Sequence, residues 1–157
     1  MLRILPLITL VFLSLHSEEL KVSADLFESD EQKGITLFTG NVAIIKGNDT
    51  LDANSVEIHT DANRKPTKFI AVGSVNFSIH ANNNAYKGSS KKAIFMPQIK
   101  EYHFYGDVSL MQLGSHNTIK GEKVIVNLTK GTATAQGDSK KPVSMTFQID
   151  NSDEKND

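Results

Sequence analysis

The chain has 157 residues, a formal net charge of −1, a pI near 6.5, 39% hydrophobic residues, and neither cysteine nor tryptophan. This balance fits one ordinary domain and argues against a nucleic-acid partner, which a basic face would recruit. The missing thiols exclude a disulfide framework and a thiolate metal site.

The amino terminus reads as an address. Met1-Leu2-Arg3 is positively charged, Ile4 to Leu15 is a nearly unbroken apolar run, and His16-Ser17 offers a cleavage region before Glu18-Glu19. Residues 1–17 are therefore predicted to be a secretory signal peptide. A run of about 12 residues is short for a membrane span, which takes roughly 20; a retained anchor is the alternative. Export and the absence of cysteine together predict a periplasmic or secreted protein.

From residue 18 to residue 149 the chain reads as one β domain. Leu20 to Glu28 forms half a repeat, and Ser29 to Gly34 a polar turn. The approach Ile35-Thr36-Leu37-Phe38-Thr39 then leads into Gly40-Asn41-Val42-Ala43-Ile44. Close copies follow as Gly73-Ser74-Val75-Asn76-Phe77 and Gly106-Asp107-Val108-Ser109-Leu110, with a weaker one at Gly137-Asp138. The glycines stand at 40, 73, 106 and 137, spaced 33, 33 and 31 residues apart, the period of one supersecondary unit used repeatedly.

Each unit is a pair of strands. Phe69, Ala71, Gly73, Val75, Phe77 and Ile79 share one parity, which is strand alternation. About a dozen residues past each glycine a second segment begins, as in Ala53-Asn54-Ser55-Val56. Gly47-Asn48-Asp49, His80 to Asn84 and Leu113 to Asn117 are the intervening turns. The last unit turns alanine-rich at Gly131 to Gly137, and a final strand alternates Val143, Met145, Phe147 and Ile149. Residues 150–157 carry no apolar side chain and are predicted to be a disordered tail. The glycines, on the apolar parity, are read as points where facing sheets bend close together.

Little in the sequence carries reaction chemistry. His59, His80, His103 and His116 lie apart, with no His-x-His or His-x-x-x-His spacing, so no metal site is predicted. There is no nucleophile elbow and no phosphate-binding glycine loop. Carboxylates such as Asp25, Asp52, Asp107 and Glu122 recur with the repeat, as turn and strand-edge residues do. No enzyme and no cofactor are expected.

The segments Val22-Ser23-Ala24-Asp25, Phe38-Thr39-Gly40-Asn41-Val42, Leu51-Asp52-Ala53, Ala71-Val72-Gly73-Ser74-Val75 and Ile119-Lys120-Gly121-Glu122, behind a signal peptide, resemble the OstA-like family of periplasmic lipopolysaccharide-transport proteins. The resemblance covers about residues 20 to 149 and departs at Ser89-Ser90 and in the last unit. It implies an all-β fold, a twisted antiparallel β jelly roll of stacked hairpin repeats, open at both ends, whose dry interior takes the acyl chains of lipid A. Implied partners are lipopolysaccharide, an inner-membrane LptC-like protein, an outer-membrane LptD-like translocon, and further copies joined head to tail.

The expected interior is Val42, Ile44, Phe69, Val75, Phe77, Ile79, Phe104, Val108, Leu110, Val124, Val126 and Phe147. Each is either a core residue or a lipid contact. Two other readings stand beside the soluble bridge: an LptC-like member that keeps its anchor, and a ligand-free structural β-solenoid or filament subunit.

Overall fold

The computed structural model describes residues 19–149. The predicted signal peptide and tail lie outside them. Ten strands form in chain order: Leu20–Ser23 (β1), Leu26–Asp30 (β2), Ile35–Lys46 (β3), Asp49–Thr60 (β4), Pro66–Ala81 (β5), Asn84–Met96 (β6), Glu101–Gln112 (β7), Thr118–Asn127 (β8), Thr132–Gln136 (β9) and Ser144–Thr146 (β10). All belong to one antiparallel sheet ordered β1-β3-β4-β5-β6-β7-β8-β10. At its ends β2 also pairs with the first half of β3, and β9 with the second half of β8. Nearly every pairing is therefore a hairpin between chain neighbours.

The six long strands are each interrupted in the middle. Register shifts fall between Thr39 and Val42, Val72 and Val75, and Tyr105 and Val108. There a glycine and its successor oppose a single residue: Gly40-Asn41 face Asn54, Gly73-Ser74 face Lys91, and Gly106-Asp107 face Glu122. These are β-bulges, and bulges bend a strand and increase its twist. All six residues have positive φ, with Gly40, Gly73 and Gly106 at +81°, +86° and +81°. A side chain at Gly73 would meet Asn54, and one at Gly106 would meet Lys91, so conformation and close approach both demand glycine.

The bulges line up across the sheet and fold it into two leaves. One leaf holds β1, the second halves of β3, β5 and β7, the first halves of β4, β6 and β8, and β10. The other holds the complementary halves with β2 and β9. Two facing leaves bent from one sheet are the twisted jelly roll that the family resemblance implied, and the recurring glycine is its hinge line. Gly137 differs. It follows β9, lacks positive φ, and packs on the Lys141 and Pro142 backbone, so it belongs to a turn.

Parity behaves differently on alternate strands. On β3, β5 and β7 the inward residues keep one parity through the bulge, as Phe38, Gly40, Val42 and Ile44 do. On β4 the inward set changes from Leu51 and Ala53 to Val56 and Ile58, and on β8 from Ile119 to Val124 and Val126. The two-against-one count at each bulge is absorbed by the strand without the glycine.

Candidate functional site

The interior between the leaves has two zones. Along the hinge line it is closed: Val42, Val75, Val108 and Val124 are fully buried, with Leu110 beside them. Branched side chains fill the narrow angle where the leaves diverge. Farther out, large aromatic rings take over. Phe77 of one leaf stacks on Phe104 of the other, centroids 4.4 Å apart and planes 15° from parallel. Tyr102 stacks on Phe95 at 4.3 Å and lies parallel to Phe104 at 6.0 Å, while Phe69 meets Phe95 at 6.0 Å.

Beyond these rings the leaves stand apart and enclose a cavity of about 390 Å³. Its wall is almost wholly apolar, with Ile44, Leu51, Phe77 and Ile79 on one side and Val56, Phe69, Phe95 and Tyr102 on the other. The mouth lies between the leaf tips: Lys46, Asp49 and Thr50 belong to the β3–β4 hairpin, and Pro66 and Pro97 stand at the opposing turns. Asp49 Oδ1 accepts a hydrogen bond from the His80 N–H at 2.8 Å and lies 3.0 Å from His80 Nδ1. Burial and, secondarily, the Asp49 carboxylate push the Tyr102 phenol up to about 12, so it stays neutral. Volume and lining match small-molecule sites, which run about 300–1,000 Å³ and are mostly apolar with a few polar groups. A wider, more open hollow on the outer face has Ser78, Lys87, Ser89 and Lys120 in its lining.

The expected interior residues divide into four groups. Ile44, Phe69, Phe77, Ile79 and Phe104 line the cavity. Val42, Val75, Val108, Leu110 and Val124 form the closed hinge core, and Val126 is half-buried against it. Phe147 departs from expectation. It lies just past β10, 59% exposed, because β10 covers only three residues of β8 and the chain then leaves the sheet.

Sequence reasoning missed Leu51, Val56, Phe95 and Tyr102 in the wall. Leu51 with Ala53 and Val56 with Ile58 have opposite parities, which is the trace that a bulge leaves in a sequence.

The histidines are less solitary than their spacing suggests. His59 Nε2 pairs with Glu57, and His103 Nε2 with Glu101, whose other oxygen accepts from Asn127 Nδ2 at 2.9 Å. The His103 and Asn127 hydrogen bonds hold the Glu101 carboxyl below its ordinary range. Among the described residues no three or more His, Asp or Glu side chains converge as a metal would require.

Comparison with known proteins agrees with this architecture. The family model described as LptA/(LptD N-terminal domain) LPS transport protein matches residues 21–132. The fold is similar to that of LptH from Pseudomonas aeruginosa, described as the LptA homologous periplasmic component of its lipopolysaccharide transport device. The TM-score is 0.74 at 20% identity, covering 84% of this chain and 96% of that one. No curated protein sequence matches this chain.

Proposed function

The chain belongs to the family of LptA and LptD amino-terminal-domain lipopolysaccharide-transport proteins, and from that membership we propose that it carries lipopolysaccharide through the periplasm with the lipid A acyl chains held between its leaves. The family is one of transport components, not of enzymes. The observation that carries the reading is the apolar cavity beyond the stacked aromatic rings. Withdrawing a methylene from water contributes about 0.8 kcal/mol, so ten methylenes of one chain contribute about 8 kcal/mol. A lipid with several chains crosses an aqueous compartment only if most of that area stays covered.

The sheet ends support a bridge. Among the described residues β1 and β2 at one end, and β9 and β10 at the other, pair on one side only. Such edges accept a further strand, and a head-to-tail contact of this kind propagates. The bridge runs from an LptC-like protein at the inner membrane, through copies of this chain, to an LptD-like translocon in the outer membrane.

Photo-crosslinking tests the binding. A photoreactive side chain at Phe69 is expected to yield a lipopolysaccharide adduct, and one at Val72, exposed on the outer face of the same strand, is not. No adduct from Phe69, or equal adducts from both, sinks the proposal. Light scattering should show mass rising with concentration; a strict monomer throughout contradicts the bridge.

A further inference from the structure

The turns at the two leaf tips differ in charge. Residues 47–48, 82–83 and 113–117, at the tip of one leaf, include no lysine or arginine and no exposed large apolar side chain. At the tip of the other, the turns over 61–65, 97–100 and 128–131 each carry an exposed lysine, Lys65, Lys100 and Lys130. These turns are neighbours, since β5 pairs with β6 and the Leu128 N–H donates to the Lys100 carbonyl at 3.0 Å. Consecutive turns lie two strands apart, about 10 Å, so the three lysines form a row.

The carboxylates nearby are taken up elsewhere. Glu31 pairs with Arg64 at 3.8 Å and Asp30 with Lys33 at 4.0 Å. Asp61 accepts from the Asn63 and Lys65 backbone N–H groups inside its own turn. Glu101 is held by His103 and Asn127, and of the three lysines only Lys130 bears on it. The side chains of Lys65 and Lys100 have no partner among the described residues. In the middle turn of the row stands Ile99, 50% exposed. One exposed apolar side chain is ordinary on a surface; one set in the middle of a row of cations serves neither the core nor an ion pair.

We propose that this tip docks on a bilayer containing anionic phospholipid, the lysines meeting the lipid phosphates and Ile99 entering the headgroup layer. A negative membrane surface attracts such a basic cluster, each lysine strengthening partitioning about fivefold. The apolar side chain beside them supplies the second signal that a weak electrostatic contact needs. The inference does not depend on what the cavity holds. Pro66 and Pro97, which border the cavity mouth, stand at the same tip, so a docked chain brings that mouth beside the lipid.

Vesicle flotation tests the docking, with the exported protein and two kinds of vesicle, phosphatidylcholine alone and an equimolar mixture with phosphatidylglycerol. The protein is expected to float with the mixed vesicles only, and less so as salt is raised. Lys65→Gln combined with Lys100→Gln and Lys130→Gln should weaken partitioning about a hundredfold, and Ile99→Ser about threefold. Lys21→Gln combined with Lys87→Gln and Lys120→Gln makes the same change of charge at exposed positions on the other leaf and should float like the unmodified protein. No flotation with mixed vesicles, equal flotation with both kinds, or equal loss in the two triple variants overturns the docking. None of these outcomes bears on the crosslink from Phe69, which reads the cavity and not the tip.

Discussion

Gly73→Ala measures the hinge line directly, with Gly114→Ala as its control. Both glycines have positive φ, +86° and +96°. A methyl at Gly114 meets nothing within 4 Å, so that variant carries conformational strain alone. Strain of this kind is about 1–2 kcal/mol, partly offset by the stiffer unfolded chain, about 0.4–1 kcal/mol. The net cost at Gly114 is thus about 1 kcal/mol. At Gly73 the same methyl would stand 2.9 Å from Cβ and Cγ of Asn54. These atoms are tied to the β4 backbone and cannot swing away, and overpacking adds about 1–3 kcal/mol. Gly73→Ala should therefore cost about 2–4 kcal/mol in urea unfolding, read as a lower midpoint with an unchanged slope. Adding Asn54→Gly should recover most of the difference, a coupling that a double-mutant cycle isolates. Equal costs at Gly73 and Gly114, or no coupling with Asn54, would refute the account of the bulges as close-packed hinges.

Phe104→Ala, which removes a fully buried ring and its stack on Phe77, should lower stability by about 3–5 kcal/mol in the same assay. Phe69→Ala should cost less, about 1–2 kcal/mol, because that ring is only partly buried. The Glu101 carboxyl titrates below its ordinary 4.5 in the fold. It therefore contributes stability that is present above pH 4.5 and lost as pH falls through the folded value. Glu101→Gln should flatten the acid limb of a stability profile, and an unaltered limb would contradict the assignment. For Tyr102 the direction is reversed: burial raises its phenol from 10.0 to about 12, so the unfolded chain ionises first and stability falls as pH climbs across that interval. The phenolate absorbance step near pH 12 should be missing in Tyr102→Phe.

The repeat made most of the fold legible. A glycine every 33 residues followed by a small polar residue and valine marks three bulges, and the alternation through Phe69 to Ile79 survives intact because β5 keeps its parity. The opposite strands were harder to read. Slips such as that between Ala53 and Val56 break period two, so the inward residues of β4 and β6, Phe95 among them, fall between two alternations. Tyr102 keeps the parity of Phe104, and its place in the sequence simply does not show that it stands at the cavity. Separating hinge core from cavity lining lay beyond a linear pattern, since Val75 and Phe77 differ only in distance from the bend. Phe147 had the right alternation in the wrong place, where nothing in periodicity signals that the last strand pairs for only three residues.

Because each added hairpin sits beside its predecessor, the length of the trough is counted in whole units. Neighbouring strands lie about 4.8 Å apart, so one 33-residue unit, with its two strands, extends the structure by about 10 Å while leaving its cross-section untouched. Duplicating the segment from Gly73 to Tyr105 would make a longer gutter of the same bore. Evolution and engineering alike can set the span of such a protein in steps, as one sets a ladder by its rungs.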